Sequence, residues 1–117
     1  MPPIRAFFAQ RRDDRNLNAN TVIVECKNYS NDIANNEIDQ LLGRFDNNRG
    51  KFGIITCRSI DNPNLLLERC KDAAVRQQGY IITLTDEEMI QMLRAKAEMR
   101  DEEIMPFLHR KYRQLLA

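Results

Sequence analysis

The stretch that most constrains this chain is Thr21-Val22-Ile23-Val24-Glu25-Cys26-Lys27-Asn28-Tyr29-Ser30. It opens as a near-continuous β-branched run, which reads as a buried strand. A carboxylate and an ammonium then follow two residues apart. Side chains alternate along a strand, so Glu25 and Lys27 point one way and Val24 and Cys26 the other. Two charges on so apolar a strand are costly unless they are paired or bind something. Either they form a local ion pair at a sheet edge, or the carboxylate holds a divalent ion while the lysine steadies or activates a water beside it.

Around this stretch the pattern alternates between strand and helix. From Glu37 the apolar residues Ile38, Leu41, Leu42 and Phe45 fall at helical spacing, and Asn47-Asn48-Arg49-Gly50 stops that helix. Lys51 to Cys57 reads as a second strand and Leu65 to Gln77 as a helix burying Leu66, Cys70, Ala73 and Ala74. Tyr80 to Leu84 reads as a third strand. Thr85 with Glu88 forms a capping box for a helix expected to bury Met89, Ile90, Leu93 and Ala97. After a charged break near Asp101, a last helix carries Ile104, Leu108, Tyr112 and Leu115 on one side, with Pro106 in its first turn. This order implies a partly parallel sheet covered by helices. Ahead of the motif, Ile4 to Ala9 reads as a short edge strand behind Pro2-Pro3, and Gln10 to Asn20 as an exposed hairpin loop. The first two strands would then pair antiparallel. Arg11, Arg12 and Arg15 in that loop are either solvated or contact phosphate. Asn31 to Asn36 is a polar connection.

Val24-Glu25-Cys26-Lys27-Asn28-Tyr29 resembles the E-x-K half of the PD-(D/E)xK nucleases, in particular the Mrr-like restriction endonuclease branch. The resemblance runs from about Thr21 to Leu93 and takes in Gln40, Gly53-Ile54-Ile55-Thr56 and a strand ending near Asp86. It implies an α/β domain of restriction-endonuclease-like fold, a mixed sheet flanked by helices. It also implies a metal-dependent nuclease hydrolysing DNA phosphodiesters with Mg2+ or Mn2+, in restriction or defence; free thiols without a signal-peptide pattern point to the reducing cytoplasm. Glu25 would ligate the metal, Cys26 would help through its carbonyl, and Lys27 would stabilise the attacking hydroxide or the phosphorane charge. Gln40 would face the site. The family's partner aspartate belongs around residues 2 to 5, where this chain has Pro2, Pro3, Ile4 and Arg5. Asp14 is the candidate substitute, with Asp13 beside it. Such a chain is either an N-terminally truncated or minimal version of the fold, or a nuclease-like domain without activity that serves DNA binding or oligomerisation. Homodimerisation or a larger parent chain would cover the apolar surface left open.

A length of 117 residues suits one domain, with residues 1–98 as the core and 99–117 as a helical extension. No apolar run reaches membrane-spanning length. The net charge of +1 announces no bulk attraction to nucleic acid, so any DNA contact has to be local. Cys26, Cys57 and Cys70 lack metal-knuckle spacing and read as buried free thiols. His109, the only histidine, reads as an exposed helix residue without catalytic partners. Arg94, Lys96, Arg110, Lys111 and Arg113 form either a solvated face or a phosphate-facing one. The methionines read as helical core or a docking stripe.

Overall fold

Phe52-Gly53-Ile54-Ile55-Thr56-Cys57 is the most apolar short run of the chain, and it becomes the central strand. In the computed structural model, which describes residues 3–27 and 35–117, the elements run α1 (Pro3–Asp13), β1 (Ile23–Lys27), α2 (Asn35–Leu42), β2 (Phe52–Cys57), α3 (Pro63–Val75), β3 (Tyr80–Thr85), α4 (Asp86–Ala97), a 3-10 turn (Asp101–Glu103) and α5 (Ile104–Leu116). The strands form one sheet in the order β1-β2-β3, and both pairings are parallel. A helix between successive strands supplies the long connection that parallel pairing requires. Asn28 to Ser30 of the motif, and the polar connection as far as Ala34, lie outside the described residues.

The two faces of the sheet follow from strand alternation. Phe52 has no exposed surface and meets Phe7 of α1 and Tyr112 of α5, at ring separations of 5.9 and 6.2 Å. Gly53 points the other way, where an added Cβ would come within 3.1 Å of Leu41 and 3.0 Å of Phe45. So α1 and α5 cover one face, and α2 with its following turn covers the other. Ile23 is in register with Gly53 and Glu25 with Ile55. Ile23, Glu25 and Lys27 therefore share the α2 side.

Four expectations need correction here. Residues 3–13 form a helix, not an edge strand. Phe7, Phe8 and Arg11 recur at the 3-to-4 spacing of one helical face, and Pro3 sits at the first helical position, where its missing N–H costs nothing. With no strand ahead of β1, the antiparallel hairpin disappears, and the sheet is parallel rather than mixed among the described residues. β1 is accordingly an edge strand, not a buried one: Val24 is 51% exposed, and Cys26 is exposed as well. The segment after α1 is also no free loop. Leu17 is buried and its carbonyl accepts from Lys51 N at 2.8 Å, while the Thr21 amide and hydroxyl both donate to the Arg49 carbonyl, at 3.1 and 3.0 Å.

The C-terminal half follows the sequence pattern more closely. Thr85 accepts from the Glu88 amide while the Glu88 side chain returns to the Thr85 amide, which completes the capping box. Ile104, Leu108, Tyr112 and Leu115 are the buried stripe of α5. α4 is rotated relative to expectation. Ala95 is its buried residue and Met89 and Met92 pack partly against the core, whereas Ile90 and Leu93 are 47% and 65% exposed. The small side chain of Ala95 lets α4 approach the core closely, and that turns Ile90 and Leu93 outward.

Burial of two weak acids gives the fold an alkaline limit. Burial pushes the Tyr112 phenol from 10.0 up to about 12 and the Cys70 thiol from 9.0 up to about 12. Well below pH 9 both groups are neutral in the folded and unfolded chain and stability is unaffected. The unfolded chain loses the Cys70 proton above pH 9.0 and the Tyr112 proton above pH 10.0, so each group lowers stability by about 1.4 kcal/mol per pH unit from its own ordinary value up to about pH 12. Urea midpoints are expected to drop steeply from pH 9 to 11. A Tyr112→Phe/Cys70→Ala double variant should show a much flatter profile, and equal slopes would refute this origin.

Candidate functional site

Glu25 and Lys27 do project from the same side of β1, and both are partly buried. Their charges are met differently from expectation. Glu25, whose side chain is 17% exposed, pairs with Arg44 rather than with Lys27. Arg44 stands two residues past α2, in a turn where its amide donates to the Leu41 carbonyl at 3.0 Å. That turn aims the guanidinium back at the strand. Glu25 Oε1 is buried against that guanidinium.

Lys27 ends β1, in register with Cys57, which is itself in register with Thr85. Lys27 therefore stands at the carboxyl ends of three parallel strands. An open cleft there is lined by Cys26, Lys27, Thr56, Cys57, Arg58 and Asp86. Asp86 is the acid that the sequence reading passed over. As a first-turn acid of α4 it had a sufficient helix-dipole explanation. The signal available was its place one residue after the third parallel strand, whose end the fold aligns with that of the first across β2.

The remaining candidates do not converge on Glu25. Asp14 terminates α1: its carboxylate accepts from the Asn16 amide at 2.8 Å and its carbonyl from the Asn18 amide at 2.6 Å. It acts electrostatically on Arg11 and Tyr112, on the side of the sheet away from Glu25. Gln40 is exposed on α2, because the neighbouring Leu41 and Ile38 face the sheet. Among the described residues no three His, Cys, Asp or Glu side chains group as a metal site. All three cysteines are free thiols, though Cys26 is exposed rather than buried.

Of the three arginines expected in a loop, Arg12 belongs to α1 and pairs with Asp13 at 3.1 Å, and Arg15 is exposed just beyond the helix. Arg11 is 8% exposed, its guanidinium 4.0 Å from the Tyr112 ring centroid and 4.9 Å from that of Phe7. It cannot serve as a phosphate contact from that position. Its Nη2 donates to Gln10 at 3.3 Å, while Nε and Nη1 have no hydrogen-bond partner among the described residues. Burial lowers its pKa. Unpaired buried donors cost about 1–3 kcal/mol each, against about 2 kcal/mol from a desolvated cation–π contact. Arg11→Met is therefore expected to leave stability unchanged or raise it by about 1 kcal/mol, read from urea midpoints. A loss above about 2 kcal/mol would show that the ring contacts dominate.

The C-terminal basic residues also separate. Lys111 turns inward, donating to the Thr83 carbonyl at 3.0 Å and pairing with Glu88 at 2.6 Å. Lys96 pairs with Asp101 at 2.8 Å. His109 is half-buried, edge-on to Phe7 at 5.5 Å, instead of lying on an exposed face. Among the described residues no helix is long and apolar enough to cross a membrane. Comparison with family models, with curated proteins and with solved structures finds no match to this chain.

Proposed function

We propose that this chain is a nuclease-type domain of restriction-endonuclease-like build that engages the phosphodiester backbone of DNA, in the cytoplasm. The observation that carries this reading is the placement of Glu25 and Lys27 on one side of a parallel strand, with Lys27 at its carboxyl end beside Arg58 and Asp86. Lys27, with Arg58 in the same cleft, would present positive charge to a phosphate oxygen and would hold the charge that develops as the phosphorus is attacked.

The donor chemistry at Glu25 suits a hard cation once Arg44 is displaced, since it is a largely buried carboxylate and magnesium binds through one or two carboxylates together with waters and substrate phosphates. Glu25, helped by the Cys26 carbonyl, would hold Mg2+ or Mn2+, which when bound polarises the phosphate as a Lewis acid. Arg44 must leave Glu25 first. The half-exposed guanidinium has a ready destination, because DNA brings phosphates that it can pair with.

A second reading is favoured by that same Arg44 contact: a nuclease-like domain that binds DNA, or a second copy of itself, without cutting. Incubating plasmid and linear DNA with the protein in Mg2+, Mn2+ or EDTA separates the two. Metal-dependent cleavage that vanishes in Glu25→Ala and Lys27→Ala supports the nuclease. A folded wild type that shifts DNA but leaves it intact in every metal supports the second reading.

A further inference from the structure

A second basic site lies away from the strand ends. α4 and α5 diverge around the 3-10 turn and leave a groove of about 380 Å³ between them, within the usual range for a small-ligand site. Its floor is apolar, with Met92, Ile104 and the half-buried ring of Phe107, and its rim carries Arg94, Arg100 and Arg110.

The acids on the same rim are already committed. Glu103 pairs with Arg100 at 2.7 Å, and Glu88 pairs with Lys111 at 2.6 Å. Arg94 and Arg110 make no ion pair among the described residues; the guanidinium of Arg110 lies 5.8 Å from the Phe107 centroid. The groove therefore joins uncompensated, bidentate anion donors to an aromatic surface. A bare anion uses the arginines and leaves the ring idle, and an apolar ligand does the reverse. A phosphate attached to a planar heterocycle uses both.

We propose that the α4–α5 groove binds a nucleoside phosphate, its base on Phe107 and its phosphate between Arg94 and Arg110. The same chemistry belongs to a free nucleotide and to the terminal nucleotide of a single strand. The inference is independent of Glu25 and Lys27.

Calorimetric titration with AMP, adenosine, inorganic phosphate and a 5′-phosphorylated oligothymidylate tests it. AMP is expected to bind with one site, and adenosine and phosphate each about tenfold or more weakly. Arg94→Ala/Arg110→Ala should weaken AMP by about tenfold or more, and Phe107→Leu should weaken AMP while sparing phosphate. Lys27→Met should bind AMP as the wild type does, which separates this site from the strand-end cleft. Tighter binding of the oligonucleotide than of AMP would identify a strand end as the natural source, and the reverse a free nucleotide. The proposal is overturned if phosphate binds as well as AMP, if neither AMP nor the oligonucleotide binds saturably, or if AMP affinity survives the double arginine substitution. Arg94 and Arg110 are exposed, so circular dichroism of the double variant should match the wild type.

Discussion

Replacing Lys27 with methionine is expected to slow DNA cleavage by about 100-fold or more, the usual cost of removing one preorganised donor from a developing oxyanion. Methionine keeps the length and apolar stem of lysine, so β1 should stay in register with β2 and the urea midpoint should move little. Glu25→Gln should cost as much in activity, because the amide fills the same space without the charge a metal needs. Arg44→Ala is the discriminating variant. If Arg44 only neutralises Glu25 until DNA and metal arrive, its removal leaves cleavage intact and lowers the metal concentration needed for half-maximal rate. It should also cost about 1–3 kcal/mol of stability, since the buried Glu25 Oε1 loses the charged partner it has among the described residues. If the Glu25–Arg44 pair is instead the end state of the site, Arg44→Ala costs stability and nothing cuts in any variant. Cleavage by Lys27→Met at the wild-type rate would remove Lys27 from the chemistry altogether.

Local pattern made some of this legible and long-range pairing hid the rest. The stripe Ile104, Leu108, Tyr112 and Leu115 has one period and one possible core face, so α5 follows from it. The capping box at Thr85 likewise involves residues three apart. Ile4 to Ala9 is a different case. A six-residue apolar run satisfies strand and helix alike, and only the aromatic contacts of Phe7 with Phe52 and Tyr112 decide for the helix. That one decision propagates. Without a preceding strand, β1 becomes an edge, Val24 and Cys26 face solvent, and the antiparallel hairpin that would set residues 2 to 5 beside the motif is absent among the described residues. Glu25 and Lys27 were placed on one side of a strand by alternation alone, and they are so placed. What alternation could not supply was Arg44, which is nineteen positions along the chain and reaches Glu25 only because α2 folds back over the sheet. Asp86 was hidden for the same reason, since parallel register alone brings it to the same cleft as Lys27, across β2. Arg11 misled in the opposite sense. A guanidinium in a polar stretch reads as solvated, yet Phe7 and Tyr112 bury it.

Gly50→Ala is expected to cost about 3 kcal/mol or more. Gly50 has φ of +93°, a conformation that burdens any residue with a Cβ. Space compounds the problem. The added Cβ would lie 2.5 Å from Ala19 Cα and 2.8 Å from the Asn18 carbonyl carbon, both backbone atoms that no side-chain rotation can move. Asp46 prepares this turn by accepting from the amides of Asn48 and Arg49, at 2.9 and 2.6 Å, and the Gly50 amide donates to the Asp46 carbonyl at 2.8 Å. The same joint holds the residues leading into β1 against those leading into β2. Relief of the clash therefore has to shift one strand relative to the other, and with it the position of Glu25 and Lys27 against Cys57 and Asp86. Gly43→Ala is the matched control, because its added Cβ meets only the Asp39 carbonyl at 3.4 Å and the Gln40 carbonyl at 3.5 Å, ordinary contacts. Denaturant unfolding should show Gly43→Ala within about 1 kcal/mol of wild type and Gly50→Ala far below it. If Gly50→Ala also unfolds within that margin, the turn is free to rearrange, and β1 is not held in register from this end.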